Sequence, residues 1–315
     1  MGTKRSMSEK IVGAIKEPGP VIVRFMRTFC RWMPDKTFLK IEHKLLLKER
    51  MNFDDPQTLN QKLQWMKLFN SDSIYTRLVD KYLVREYVTQ KIGDKYLIPL
   101  IGVYDNSNEI DFDSLPSKFV LKANHGSGWN VVCTDKSNLN WEKVKKDLNK
   151  WLKMNYYWHD RERPYKNIVP RIVCEEFIKT EGDSPPMDYK LFCFDGIPEF
   201  FFIASDRGSN TKFDFFDMEW NRLPVKQHYP NSDYNFEPPK KWDEMVECAK
   251  KLSEGFPHVR VDFYIDSDEN IIFGEMTLGH FGGVTPFEPK EYDKYFGQFM
   301  RLPLDNYQVD YAVNK

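Results

Sequence analysis

Along the chain, stretches with apolar residues every three or four positions give way to short runs of β-branched and aromatic residues, so helices and strands are both expected. Residues 21–33 set Ile22, Phe25, Met26, Phe29 and Trp32 against Arg24, Arg27 and Arg31 at helical spacing. That pattern predicts a basic amphipathic helix, which either lies on an anionic membrane surface or covers the flank of the body with its arginines in solvent. Residues 60–69 and 73–91 repeat the period, with Gly93 as a stop, and predict two helices. Asp80, Lys81 and Arg85 then sit on the second as surface charges, and residues 141–156 predict a further helix.

Residues 96–104 are apolar and β-prone, and 106–116 are acidic and turn-rich, a loop expected to join two lobes. Short strands are predicted at 119–123, 131–134, 172–178, 189–194 and 200–204, and a hairpin from 259–265 and 271–277 around a turn at 266–270. Strands interrupted by one long helix, with hairpin-like neighbours later, predict an α+β fold with mostly antiparallel sheets. The 315 residues exceed what one core usually absorbs, so two or three lobes are expected.

Lys and Arg total 46 against 47 for Asp and Glu, so no whole-molecule field draws in a polyanion and nucleic acid is not an expected partner. The charge is uneven: residues 1–50 hold twelve basic and five acidic side chains, net +7, which leaves −8 on the remainder. A basic arm precedes an acidic body. The five cysteines are widely spaced, odd in number and free of any C-x-x-C pair, which points to reduced thiols. No apolar run approaches the roughly 18 residues of a spanning helix, and the start lacks a secretory pattern. A cytoplasmic setting is expected, peripheral to the inner membrane face if the basic helix binds there.

Phe119-Val120-Leu121-Lys122-Ala123 is a strand carrying a lysine into the loop Asn124-His125-Gly126-Ser127-Gly128. Such a loop brings bare backbone N–H groups up to phosphate oxygens while the lysine supplies a point charge, although two glycines in a hairpin turn are also ordinary. In the later hairpin, Val261, Phe263 and Ile265 share one face and Arg260, Asp262 and Tyr264 the other. With the turn centred, Asp266 faces Ile271 and Asp262 faces Glu275. Two opposed carboxylates are destabilising unless a cation sits between them, so this pair suits Mg²⁺, or else each acid pairs with a neighbour such as Arg260. Cys174-Glu175-Glu176-Phe177 and Met187-Asp188-Tyr189-Lys190 place further charges at strand ends. The aromatic segments 151–158 and 200–202 are candidates to stack on sugar rings.

Taken in order, these motifs resemble the TupA-like family of the ATP-grasp superfamily, from near Phe53 almost to Leu302. The carrying residues are Thr58 to Trp65, Asp80-Lys81-Tyr82, Lys122 with its glycine loop, Asp188-Tyr189-Lys190, Asp206-Arg207, Arg260-Val261-Asp262 and Gly274-Glu275-Met276-Thr277. The resemblance implies a helical N-terminal region at 1–95, a small lid lobe at 96–178, a large lobe with the metal site at 179–302 and a tail at 303–315. Two α+β lobes would clasp a nucleotide. By the same resemblance Lys81 and Lys122 would hold the ATP phosphates under a lid of Gly126, Ser127 and Gly128. Glu175, Glu176 and Phe177 would form the hinge that receives adenine, Asp188 and Lys190 would reach the ribose and phosphates, and Asp262 and Glu275 would carry Mg²⁺. Thr277 stands where the superfamily usually has asparagine, which puts a second magnesium in doubt, and His280 is the nearby residue that could compensate.

The implied reaction is ATP-dependent amide formation through an acyl phosphate. It would join a uronic-acid carboxylate of a capsular or O-antigen-type precursor, nucleotide- or lipid-linked, to an amino acid or small amine. Arg207 and Arg260 are candidates for the substrate side because a guanidinium clamps a carboxylate bidentately, and Lys190 is the third catalytic candidate. Two other readings are a glycosyltransferase and a catalytically silent scaffold. Asp266-Ser267-Asp268 offers the first a D-x-D motif but also suits a turn. The presence of Lys122, Asp262 and Glu275 speaks against the second.

Overall fold

The computed structural model of the protein describes residues 17–69, 72–180, 185–208 and 210–304, so the outer ends of the expected N-terminal region and tail lie outside the described residues. Helix α1 (Pro18–Phe29) starts before its expected residue because proline in the first turn presets φ and lacks only an N–H that has no helical partner. Helix α2 (Asp35–Leu47), for which no sequence expectation exists, follows Pro34 and ends at Lys48 in the left-handed region. Next come α3 (Leu59–Phe69), α4 (Ser73–Val79) and α5 (Val84–Ile92). The single helix expected at 73–91 is therefore two, and Asp80-Lys81-Tyr82 lies in the break. The Asp80 Oδ1 accepts from the Tyr82 and Leu83 N–H groups and starts a new helix rather than continuing the old one.

A small sheet contains β1 (Leu100–Tyr104), β2 (Phe119–Ala123), β3 (Asn130–Cys133) and β4 (Ile172–Glu176) in the order β1-β4-β2-β3, every pairing antiparallel. The segment 106–116 thus connects two strands of one sheet and is not a link between lobes. Phe119, Leu121 and Cys174 point to one face, where Val144 and Leu148 of α6 (Trp141–Leu152) cover them. The expected helix 141–156 stops there, and the Asn155 side chain accepts from the Tyr157 N–H to begin the short α7 (Tyr157–Asp160).

A larger sheet contains β5 (Asp188–Phe194), β6 (Ile197–Ser205), β7 (Lys212–Asp217), β8 (Val259–Ile265) and β9 (Ile271–Thr277), ordered β7-β6-β5-β8-β9 and antiparallel throughout. Both of its faces are covered, which explains why β5 is buried at every position. Leu191, Phe201 and Phe263 pack against Met245 and Leu252 of α8 (Trp242–Ser253). On the other face, Phe192, Phe200 and Phe202 pack against α1 to α3 and Phe296 of α9 (Glu291–Gly297). Phe200, Phe201 and Phe202 are at most 1% exposed, so the expectation that they stack on sugars is corrected: they are core. All five cysteines are free thiols, and burial pushes those of Cys174 and Cys193 up to about 12, which suits packing and not nucleophilic work. Among the described residues no helix is long and apolar enough to cross a membrane.

Candidate active site

The large sheet carries its charges in registered rows. Lys190 on β5 lies opposite Asp262 on β8, which lies opposite Glu275 on β9. The row on one side is Asp188 and Tyr264, and on the other Phe192, Arg260 and Thr277. All these side chains share the face that continues into the phenylalanine core, so an ionic island sits at the edge of apolar packing. Asp262 and Glu275 do face each other, but the cation between them in this structure is Arg260. Its Nε and Nη2 hold the two Asp262 oxygens at 2.7 Å each, and Nη2 reaches Glu275 Oε1 at 3.3 Å and Thr277 Oγ1 at 3.0 Å. Nη1 meets His280 Nδ1 at 2.5 Å, and His280 Nε2 meets Gln227 Oε1 at 2.7 Å.

Two sequence expectations change as a result. Arg260 is buried with all three guanidinium nitrogens engaged, so in this structure it positions Asp262 and Glu275 and presents no free fork. His280 has both ring nitrogens committed to Arg260 and Gln227 and is no metal ligand here. Burial, with the Arg260 charge beside it, holds the imidazole neutral well below its ordinary range. Arg207 keeps a side chain 44% exposed while Nη1 bonds Asp188 Oδ2 at 2.6 Å. Burial opposes its charge, but Asp188, Tyr264 and Glu275 together more than offset this and raise its pKa.

Asp188 Oδ2 also receives Lys190 Nζ at 2.7 Å, and Lys190 bonds Asp262 Oδ2 as well. Asp188 Oδ1 is buried and, among the described residues, has no hydrogen-bond partner. Glu275 differs from its neighbours: its side chain is 37% exposed, and Arg260 and Thr277 both bond Oε1. Burial works against its charge, yet Lys81, Lys190 and Arg260 together hold the carboxyl at about 2.

From the small sheet, Lys122 on β2 and Glu175 on β4 share the face turned away from α6, and Lys122 Nζ meets Glu175 Oε2 at 2.5 Å. Arg85 holds Glu175 Oε1 at 3.2 Å and the Ile98 carbonyl at 2.9 Å. Lys81, placed by the break between α4 and α5, donates from Nζ to the Gly126 carbonyl at 2.6 Å. Burial lowers the Lys81 pKa, with Glu275 pulling the other way. Lys81, Arg85, Lys122 and Glu175 line one cavity with Gly274 and Glu275 of the large sheet. The structure thus brings together, between the sheets, the two lysines expected at the phosphates and one of the acids expected at the metal.

In the loop after β2, a Cβ on Gly126 would lie 2.4 Å from the Trp129 ring, and Gly128 adopts φ +72°. Here the glycines are demanded by packing and by a left-handed turn. Tyr156 pairs with the Ser127 hydroxyl. Glu176 is exposed and donates its backbone N–H to the Pro99 carbonyl, and Phe177 lies beside Lys118. The Asp266 carboxylate accepts from the Asp268 and Asn270 N–H groups of its own turn, so the D-x-D aspartate works as a turn cap.

Residues 61–301 match the family described as TupA-like ATPgrasp. The chain belongs to the TupA-like ATP-grasp family. No curated protein matches it in sequence. Among solved structures, ATP-grasp ligase PsnB complexed with minimal precursor is 9% identical with a TM-score of 0.39, covering 81% of this chain and 68% of that one. L-amino acid ligase from Bacillus licheniformis is 12% identical, TM-score 0.44, over 80% of this chain and 57% of its own. D-alanine–D-alanine ligase from Bacillus anthracis complexed with ATP is 16% identical, TM-score 0.36, over 64% and 55%. The chain therefore spans between about half and two thirds of their lengths, and the assignment rests on the family match alone.

Two residues near this site, Asn124 and Glu162, have roles that the sequence reading does not assign. Asn124 is fully buried: its amide nitrogen reaches Asp80 Oδ2 and the Val169 carbonyl, and its oxygen accepts from the Arg171 N–H. It thereby ties the lysine loop to the helix break that carries Lys81. Glu162, 7% exposed, packs its carboxylate against Gly279, and burial pushes it up to about 8 although Lys67 opposes the shift. The signal for it is only a charged run after aromatic residues 156–158, which gives no contact. An acid whose folded pKa lies above the usual 4.5 keeps its proton longer when folded, so its contribution to stability falls as pH rises from 4.5 to 8 and is level above. Urea unfolding of Glu162→Gln at several pH values should remove a slope of up to about 1.4 kcal/mol per pH unit over that window. An unchanged slope would show that Glu162 is ionised in the fold.

Proposed function

We propose that the protein is an ATP- and Mg²⁺-dependent carboxylate–amine ligase. It joins a uronic-acid carboxylate of a nucleotide- or lipid-linked capsular or O-antigen-type precursor to an amino acid or small amine. The observation that carries this reading is the meeting of Lys81, Lys122 and Glu275 on one cavity between the sheets, beside the Lys190–Asp262–Glu275 row. Family membership supports the ATP chemistry, and the substrate class is an extension from it.

The donor set fits a divalent ion in kind. Among the described residues no group of three or more His, Cys, Asp or Glu is placed to hold a metal alone, which suits a cation that keeps water and phosphate as most of its ligands. Glu275, with Oε2 outside the Arg260 and Thr277 bonds, and Asp188, through its unpartnered Oδ1, are the residues with oxygen to offer. Asp262 has both oxygens taken, so it holds Lys190 and Arg260 in place. When bound, Mg²⁺ would neutralise phosphate charge.

The chain's residues perform the same task of neutralisation. Lys81 and Lys122 approach the phosphates, and Glu175 keeps Lys122 extended across the cavity. With that charge cancelled, a substrate carboxylate oxygen attacks the γ-phosphorus and the bond to the bridging oxygen breaks, releasing ADP. The amine then attacks the acyl carbon, phosphate leaves, and the amine loses a proton. Arg207 is the exposed cation available to the carboxylate.

ADP release should require both a uronic acid and an amine, with the amide product found by mass. Lys122→Ala should lower it about 100-fold while leaving the fold intact. ATP turnover that ignores both substrates would overturn the ligase reading. A variant that keeps the chain's cellular role without turnover would favour a silent scaffold.

A further inference from the structure

Helix α1 is amphipathic, as its sequence predicts, but it is mounted with its apolar stripe outward. Gly19, Val23 and Met26 are the residues it buries. Gly19 fits because a Cβ there would lie 2.5 Å from the Leu45 carbonyl oxygen of α2. Arg27, expected in solvent, instead bonds Glu42 Oε1 at 2.9 Å and Asp160 on α7, and Glu42 is fully buried. These ion pairs fix the rotation of the helix, because rolling it inward would strand Glu42 and Asp160 without their cation.

The consequence is a row of exposed large apolar side chains: Val21, Ile22, Phe25, Phe29 at 64% and Trp32 at 79%. The Phe25 and Phe29 rings touch, with centroids 4.8 Å apart. At about 100° per residue the four helical members fall within roughly a quarter of the circumference, and Arg24 lies on the flank. Arg24 and Arg31 are exposed, as are Lys40 and Lys44 of α2. Aromatic and aliphatic residues on an outward stripe rimmed by cations are what an interfacial helix presents to lipid. Charge complementarity names the surface: the described residues 17–50 carry eight basic and four acidic side chains and residues 51–315 carry net −8, so a negatively charged plane attracts this face and repels the body.

We infer that α1 docks the protein on an anionic lipid bilayer, with Val21, Ile22, Phe25, Phe29 and Trp32 entering the headgroup boundary and Arg24 and Arg31 meeting lipid phosphates. This surface is independent of the nucleotide cavity.

Flotation of the full chain with phosphatidylcholine vesicles containing about one quarter phosphatidylglycerol tests it. The chain should float with these vesicles, at least about tenfold less with phosphatidylcholine alone, and less again in about 0.5 M salt. Phe25→Ser, Phe29→Ser and Trp32→Ser combined should abolish flotation with an unchanged thermal melt, because those side chains are in solvent. Arg24→Glu with Arg31→Glu should weaken it about tenfold or more. Failure of the unsubstituted chain to float, or equal flotation of the triple variant, would overturn the inference. So would a dimer by light scattering that the triple variant loses while neither binds vesicles, since a second copy would then cover the stripe.

Discussion

Glu275→Gln is expected to lower carboxylate- and amine-dependent ADP release by about 1,000-fold or more in a protein that still folds. The fold should survive because the change is isosteric, the side chain is 37% exposed, and an amide oxygen can replace Oε1 as acceptor for Arg260 and Thr277. The rate should collapse because Glu275 is the acid on which Lys81, Lys190 and Arg260 converge, and their fields keep it ionised down to about pH 2. Without its charge those cations repel one another, and the cavity loses its most exposed oxygen donor for a divalent ion. Steady-state ADP release, magnesium titration and an unliganded melt decide the matter. The variant should still unfold in one cooperative transition, at a lower temperature because the depressed Glu275 carboxyl stabilises the fold at neutral pH, and the magnesium requirement should rise. Turnover within tenfold of the original would remove the phosphate end of ATP from this cavity.

The opposition of Asp262 to Glu275 is legible in the sequence, yet the simple hairpin behind it is off by one. From the turn outward the structure pairs Ile265 with Ile271, where a centred turn pairs Asp266 with it. Continued unbroken, that pairing would set Asp262 against Gly274. An extra residue in β9 restores the expected pair, and it has to be Gly274: a Cβ there would lie 2.9 Å from the Tyr264 ring and 3.0 Å from the Asp262 carbonyl oxygen. The break at Asp80 is hidden for a different reason. Its neighbours keep the apolar period of a helix, and the interruption depends on an aspartate that caps α5 with one oxygen while binding Asn124, distant in sequence, with the other. Helix α8 is a plainer omission, since Trp242, Met245, Ala249 and Leu252 do recur at helical spacing and are all buried. The outward mounting of α1 was beyond any periodicity, because a period says which residues share a face and not which face is covered. Arg27 decides that, through acids 15 and 133 residues away.

Arg260→Met should cost about 3–5 kcal/mol of stability, read from urea unfolding, which is more than a surface arginine could. Asp262 is fully buried and takes three hydrogen bonds, two of them from this guanidinium, so after the change Lys190 is the one cation left bonded to it among the described residues. His280 Nδ1 loses its donor in the same step. If the cost is that of an uncompensated charge, removing the charge as well should recover much of it. Arg260→Met with Asp262→Leu should therefore be more stable than Arg260→Met alone, because the row faces Phe202 and Phe192 and Lys190 keeps Asp188 at 2.7 Å. Arg260→Lys should fall between, since one ammonium cannot span Asp262, Thr277 and His280 as the planar fork does. If the double substitution instead costs the sum of its parts, the two residues are energetically independent. Arg260 would then hold the sheet by packing alone, and the ionic island could not be what sets Glu275 toward the cavity.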